Sequence, residues 1–195
     1  SIRTSCPALV ETTGESVIPG KLLTDIIKSL PEGAVTIDTS GAGVATVTSG
    51  SSSFTLRTLS PEDYPKFPSV IAADSISLHP AVFSRLTRQV SRSVSRDETR
   101  PILTGVYLVI DGGLLRMVTT DSYRLCVREI AVPETTGSLE LVVPGKATDD
   151  VARLSESSEE LRIGVSANQV IFSFGPTEFI SRRIEGSFPH YRQLL

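Results

Sequence analysis

The chain contains no tryptophan, one methionine, two histidines and two cysteines in 195 residues. Each scarcity narrows what it can do. Cys6 and Cys126 lie far apart with no metal-type spacing, so they read as free thiols in a reducing compartment and not as a disulfide framework. His79 precedes a helix-opening proline and His190 sits in an aromatic–proline motif; both read as surface or packing residues, not bases. Gly-x-Ser-x-Gly is missing. Val-Pro-Gly-Lys lacks the first glycine and the following hydroxyl of a phosphate-binding P-loop. No cluster of His, Asp and Glu has ligand spacing. The expectation is therefore no catalytic residue, no metal and no cofactor. Long apolar runs are also missing: none approaches the roughly 18 residues that span a bilayer. No basic-then-apolar leader opens the chain. A cytoplasmic protein without a membrane partner is expected. An excess of positive charge is lacking too, with 19 Lys and Arg against 22 Asp and Glu, a net −3. That sum argues weakly against nucleic acid, because it ignores where the charges sit.

What is there is an internal repeat. Residues 17–30 read VIPGKLLTDIIKSL and residues 142–155 read VVPGKATDDVARLS. They share Val-x-Pro-Gly-Lys, then Asp25 or Asp150, then Lys28 or Arg153, at an offset of 125. Gly50, Phe54 and Arg57 match Gly175, Phe179 and Arg182 at the same offset. Tyr64-Pro65-Lys66-Phe67 matches Phe188-Pro189-His190-Tyr191 one residue out of step, and Glu11–Gly14 resembles Glu134–Gly137. Collinear matches of this kind indicate a duplication. Residues 74–125 have no counterpart before Ser1, so about one and a half copies are expected, as in a fragment.

Within the complete copy the pattern predicts a strand at Ser75–Leu78 and a helix from Pro80 to about Ser95. Val106–Ile110 and Leu114–Thr119 flank an Asp-Gly-Gly hairpin signal. Tyr123–Ile130 and Leu139–Val143 are further strands, followed by a helix from Gly145 to about Ser155. Leu161–Val165, Val170–Phe174 and Glu178–Ile184 close the copy. The fold class is α+β, built from duplicated β-α-β-β-β units.

Charge segregates on the helices. At about 100° per residue, Val82, Phe83, Leu86, Val90 and Val94 share one side of Pro80–Ser95. Arg85, Arg88 and Arg92 share the other, with Ser84, Ser91 and Ser95 among them. No acid within the helix offers an i,i+4 partner. Arg85 to Arg100 carries five basic and two acidic residues, a local +3. Such a stripe is either a solvated face or a sequence-independent phosphate contact. Lys21 and Lys28 match Lys146 and Arg153, each pair two helical turns apart, so the cationic face recurs.

Two motifs suggest recognition. Thr120-Asp-Ser-Tyr-Arg-Leu125 sits between strands, and Phe188-Pro-His-Tyr-Arg-Gln-Leu-Leu195 follows the last strand. The second is either a domain-closing plug or part of an apolar groove for an extended peptide. A hydrolase using Thr120 or Ser122 with His190 is the weakest reading of the same residues. Together with Asp97-Glu-Thr-Arg-Pro-Ile-Leu-Thr-Gly105, these motifs resemble the bacterial sliding clamp family, the beta subunit of DNA polymerase III, in wording similar to actinobacterial members. The resemblance covers the whole chain. It implies a DNA clamp fold with helices on the inner face and antiparallel sheets outside. Residues 1–72 would be the C-terminal half of clamp domain 1, residues 73–190 the complete domain 2, and residues 191–195 the start of a link to domain 3.

The implied function is a head-to-tail homodimer ring that encircles duplex DNA without reading its sequence and tethers the polymerase. Phosphate-facing candidates are Lys21, Lys28, Arg85, Arg88, Arg92, Lys146 and Arg153, with Arg96 and Arg100 added from the family's DNA-touching loop. The implied partner groove takes short linear motifs from the polymerase III alpha subunit, the clamp loader and repair polymerases. Its candidates are Leu103, Thr120, Ser122, Tyr123, Arg124, Leu125, Pro189, Gln193 and Leu194. Ser122, often glycine in the family, and Gln193, often basic, depart from the common pattern. The alternative is a duplicated α/β scaffold that binds protein without encircling DNA.

Overall fold

Val106, Leu108 and Ile110 alternate with more exposed neighbours along one strand, and all three are essentially inaccessible to solvent. This period of two is what a strand with one face on a core requires. The computed structural model, which describes residues 1–68, 74–132 and 137–194, shows where that core lies. In chain order the elements are β1 (Ile2–Arg3), α1 (Gly20–Ser29), β2 (Thr36–Asp38), β3 (Val44–Ser49), β4 (Ser52–Arg57), β5 (Asp74–Leu78) and α2 (Pro80–Val90). Then follow β6 (Gly105–Asp111), β7 (Leu114–Thr120), β8 (Leu125–Ala131), β9 (Leu139–Pro144), α3 (Gly145–Leu154), β10 (Leu161–Val165), β11 (Gln169–Phe174) and β12 (Thr177–Arg182). The expected α+β class and the β-α-β-β-β order are borne out.

The elements form two units, Pro7–Lys66 and the remainder. The larger unit holds two antiparallel sheets, ordered β1-β12-β11-β10-β5 and β8-β7-β6-β9. Helices α2 and α3 complete its core. Phe83, Leu86 and Val90 of α2 and Val151 and Ala152 of α3 pack with Leu115, Met117, Ile163 and Phe172 of the sheets. The smaller unit carries α1 over the sheet β2-β3-β4, around Ile26, Val47 and Leu56.

The duplication is visible in the backbone. Helices α1 and α3, strands β3 and β11, and strands β4 and β12 each start at an offset of 125. The isolated bridge Val17–Leu59 recurs as Val142–Ile184 at that offset. Gly50 and Gly175 both hold left-handed turns, at φ 55° and 50°. The expected boundary between residues 72 and 73, the Glu134-Thr-Thr stretch and Leu195 lie outside the described residues.

Three boundaries differ from the sequence pattern, each for a local reason. Helix α2 stops at Val90, not Ser95. Thr119 donates its hydroxyl to the Val90 carbonyl at 2.7 Å, and the Ser95 amide turns back to Leu103 at 3.0 Å. Ser95 is buried in that turn, and Ser84 is buried on the core side of α2, so neither is grouped with the arginines. Strand β8 starts at Leu125, because the Asp121 carboxylate takes the amides of Tyr123 and Arg124 that a ladder would need. Strand β12 ends at Arg182, and Ile184 instead bridges to β9. His79 is the N-cap of α2: its Nδ1 accepts from the Ala81 amide at 3.2 Å.

The opposite face of β8-β7-β6-β9 has its own apolar cluster. Val118 and Val142 meet Phe188 and Tyr191 of the closing segment, flanked by Tyr107, Leu125, Val127 and Ile184. Tyr107 stacks on Phe188 with ring centres 4.8 Å apart and planes 6° apart. No described helix is long and apolar enough to cross a membrane.

Candidate functional site

The inward faces of α2 and α3 are mostly apolar, with the small hydroxyls of Ser84, Thr87 and Thr148 buried among them, and the charged residues face outward. Arg85, Arg88 and Arg92 are exposed on α2 and the turn after it, and Lys146 and Arg153 are exposed on α3. The two helices pack side by side in the larger unit. In the smaller unit Lys21 and Lys28 are exposed on α1, whose Ile26 points into the core.

The stripe is not wholly unpaired, a correction to the sequence pattern. Arg88 Nη1 lies 3.4 Å from Glu156 Oε1, a residue just beyond α3. Arg153 pairs with Asp150 of its own helix at 3.0 Å. A search for partners within one helix cannot find Glu156, because only the packing of α2 against α3 brings it near. Both pairs are exposed, so they bind weakly and can exchange for other anions. Among the described residues Arg85, Arg92, Arg96 and Lys146 carry no salt bridge. Asp149, on the same helix as Lys146, is exposed. Partial desolvation of its carboxyl, and then the neighbouring Asp150 charge, push it above the usual range against a hydrogen bond from Ser91.

Arg96 and Lys146 line one hollow of about 460 Å³, with Ser95, Glu98, Pro144 and Gly145 around it. It lies where α3 begins, and Arg96 and Lys146 line it together with the acidic Glu98. Arg100 is different. Its Nε donates to Asp97 Oδ2 at 2.8 Å and its Nη1 to Ser122 Oγ at 2.7 Å.

The Thr120–Leu125 segment is a self-bonded loop. The Thr120 hydroxyl donates to the Arg124 carbonyl at 2.8 Å and accepts from the Ser122 amide at 3.1 Å. Asp121 Oδ1 takes the amides of Tyr123 and Arg124, both at 3.0 Å, and Oδ2 takes Arg124 Nε at 2.9 Å. The Tyr123 amide, countered by burial, leads the hydrogen bonds that hold the Asp121 carboxyl below its usual range. Asp121 is the residue that organises this loop, and it was not among the sequence candidates, although an Asp two positions before a backbone turn is a legible Asx-turn signal. Ser122 sits at φ 77°, the one described non-glycine residue in the left-handed region. That conformation is one glycine adopts without strain and serine does not. Tyr123 is 96% exposed.

The remaining groove candidates are distributed. Leu103 is buried, and Leu125 is half-buried in the cluster with Phe188 and Tyr191. Pro189 and Gln193 are exposed and line a separate cavity of about 950 Å³ with Tyr107, Glu140, Arg183 and Arg192. The Thr120–Leu125 loop does not line that cavity. The Leu194 side chain lies outside the described residues. Burial, then a hydrogen bond to Glu140 at 2.7 Å, push the Tyr107 hydroxyl up to about 12. Neither Thr120 nor Ser122 bonds a histidine among the described residues, so a hydrolytic pairing has no geometry behind it.

The family described as the DNA polymerase III beta subunit, central domain, matches residues 77–190. The N-terminal domain of the same subunit matches residues 1–68. The chain is 38% identical over 186 residues to a beta sliding clamp of Staphylococcus epidermidis, covering 95% of this chain and 49% of that protein. It is 37% identical to one of Staphylococcus aureus over the same shares. The chain thus spans about half the length of the curated relatives it matches. The crystal structure of the DNA polymerase sliding clamp from Bacillus subtilis superposes with a TM-score of 0.85 at 28% identity, over 96% of this chain and 50% of that one. The beta subunit from Streptococcus pyogenes gives 0.89 at 26% identity, over 100% and 53%.

Proposed function

The chain belongs to the DNA polymerase III beta subunit family, and from that premise we propose that it acts as part of a sliding clamp that encircles duplex DNA. The observation that carries the proposal is that the charged residues of α2 and α3 all lie away from the core, purely cationic on α2 and its following turn, while on α3 Lys146 and Arg153 stand beside Asp149 and Asp150. Arg85, Arg88, Arg92, Lys146 and Arg153, with Lys21 and Lys28 of α1, face phosphates. Arg96 joins Lys146 at the start of α3. Phosphate contact of this kind ignores sequence and weakens with salt, which suits a protein that must slide. No bond is made or broken by the protein; processivity comes from enclosure.

Strand β1 supports the head-to-tail ring. By the repeat it is the first copy's counterpart of β8, since Ile2 and Val127 differ by 125. It pairs with β12 of the second copy, Ile2 opposite Phe179. The same step repeated would join β8 to the next copy's β12 and β4 to a preceding copy's β8. Both strands stand at sheet edges among the described residues, β8 in β8-β7-β6-β9 and β4 in β2-β3-β4. The domain limits proposed are residues 1–72, 73–190 and 191–195.

Partner proteins, the polymerase III alpha subunit, the clamp loader and repair polymerases, dock by short linear motifs. Leu103, Leu125, Pro189 and Leu194 form apolar walls, Thr120, Ser122, Tyr123 and Gln193 the rim, and Arg124 orients a carbonyl or carboxylate.

The full-length protein, loaded on closed circular duplex DNA, should stay bound through gel filtration and be lost when the circle is cut. Equal retention on both forms would favour the scaffold that binds protein without encircling DNA. Replacing Arg85, Arg92 and Lys146 together by alanine should flatten the plot of log affinity against log salt by about 0.9 for each phosphate left unneutralised.

A further inference from the structure

We propose that Arg100 is a positioning residue for the Thr120–Leu125 loop and not a phosphate ligand. The guanidinium is engaged on two sides. Its Nε is on Asp97 and its Nη1 on Ser122. Asp97 is itself a fixed anchor. Its Oδ1 accepts from the Thr99 amide at 3.0 Å and the Thr99 hydroxyl at 2.6 Å, and its own amide donates to Oγ of buried Ser95 at 3.1 Å. The Arg100 carbonyl accepts from the Leu103 amide at 3.0 Å, so its backbone is part of the turn that buries Leu103. Charged donor and hydroxyl acceptor make a charge-assisted bond, stronger than a neutral one.

The far end of the bond is the informative part. Every other side-chain bond to the loop comes from Thr120 and Asp121, inside it. Among the described residues Arg100 is the one side chain outside the loop that bonds it. It does so at Ser122, whose backbone stands at φ 77° where a side chain is disfavoured. Glycine there would relieve the backbone and offer Arg100 no hydroxyl. Serine keeps a strained backbone and gains an external strut, so the loop is held from the turn before β6 as well as from within. A lysine at position 100 would keep the charge, yet one compact ammonium cannot reproduce the planar fork between Asp97 and Ser122. For partner binding the consequence rests on the groove reading above: the strut fixes the ledge from which Tyr123 and Arg124 project.

Amide hydrogen exchange tests the strut in the full chain without DNA or partner. Arg100→Ala and Arg100→Lys should each speed exchange at Tyr123 and Arg124 roughly 3–10-fold, the scale of one net hydrogen bond. Core amides such as Leu108 and Val118 should not change. In a Ser122→Gly background, Arg100→Ala should add nothing further. Salt-dependent retention on circular DNA should be kept by Arg100→Lys. Unchanged loop exchange, a full Arg100→Ala effect in the Ser122→Gly background, or DNA retention abolished in Arg100→Lys with the loop intact would each overturn the assignment. Failure of the clamp reading itself would show separately, as parent protein that is not retained on circles.

Discussion

Gly105 shows what a single residue of the Arg-Pro-x-Leu-x-Gly motif is for. A Cβ there would lie 2.9 Å from Ile184 Cδ1 and 2.9 Å from the Val143 carbonyl oxygen, and closer still to Val142. The backbone neighbour cannot give way easily. Gly105→Ala should therefore cost about 1–3 kcal/mol, the usual range for overpacking, read as a lower urea midpoint with unchanged slope. Its spacing in the motif was legible; that the reason is close approach of β9 was not, because Val143 and Ile184 are distant in sequence. Tyr107 gives a pH prediction. Its hydroxyl is held up to about 12 chiefly by burial and then by Glu140. A raised folded value means that the neutral phenol favours the fold. That contribution is fully present below the unfolded value near 10 and is lost as pH rises through about 12. Tyrosinate absorbance should show one residue titrating late, and Glu140→Gln should bring it earlier. An unchanged midpoint in that variant would remove Glu140 from the account.

Helices α2 and α3 were read from sequence in their faces but not in their ends or their partners. Periodicity put Phe83, Leu86 and Val90 inward, and they are buried. Phe83 is fully inaccessible and 6.0 Å from Phe172 by ring centres, so Phe83→Ala should cost about 3–5 kcal/mol in thermal or urea unfolding. The α2 terminus depends on Thr119, a residue of β7, and the pairing of Arg88 depends on Glu156 beyond α3. Neither is a property of the helix itself. Asp149 carries the element-scale electrostatic prediction. Its folded carboxyl titrates above the ordinary value through partial desolvation, with Asp150 adding to it. Protonated Asp149 therefore favours the fold below the unfolded value near 3.8, and that advantage is lost as pH rises through the raised one. Asp149→Asn should melt no lower than the parent at neutral pH and, on the proposed clamp reading, should bind DNA more tightly, since an anion leaves the charged face of α3. A variant less stable than the parent at pH 7 but not at pH 3 would contradict this sign.

At the scale of the molecule, the pairing of β1 with β12 joins residues that the sequence separates by more than 170 positions, such as Ile2 and Phe179. Arg3 adds an ion pair with Glu178 and lies over the Phe67 ring, its guanidinium 4.5 Å from the centroid. Removing residues 1–6 should expose the β12 edge, lower the melting temperature and promote concentration-dependent association in sedimentation, because an uncovered strand is a template for another. Sequence alone determined the repeat, the α+β order, the apolar and cationic helix faces and the motif residues, since all of these follow from local periodicity and self-similarity along the chain. Tertiary structure decided which cations are paired, which strand ends where, that Tyr107 is half-buried against the closing segment, and that Arg100 bonds Ser122. Each of those depends on a distance between residues from separate elements, and such distances are set only when the sheets and helices close on one core.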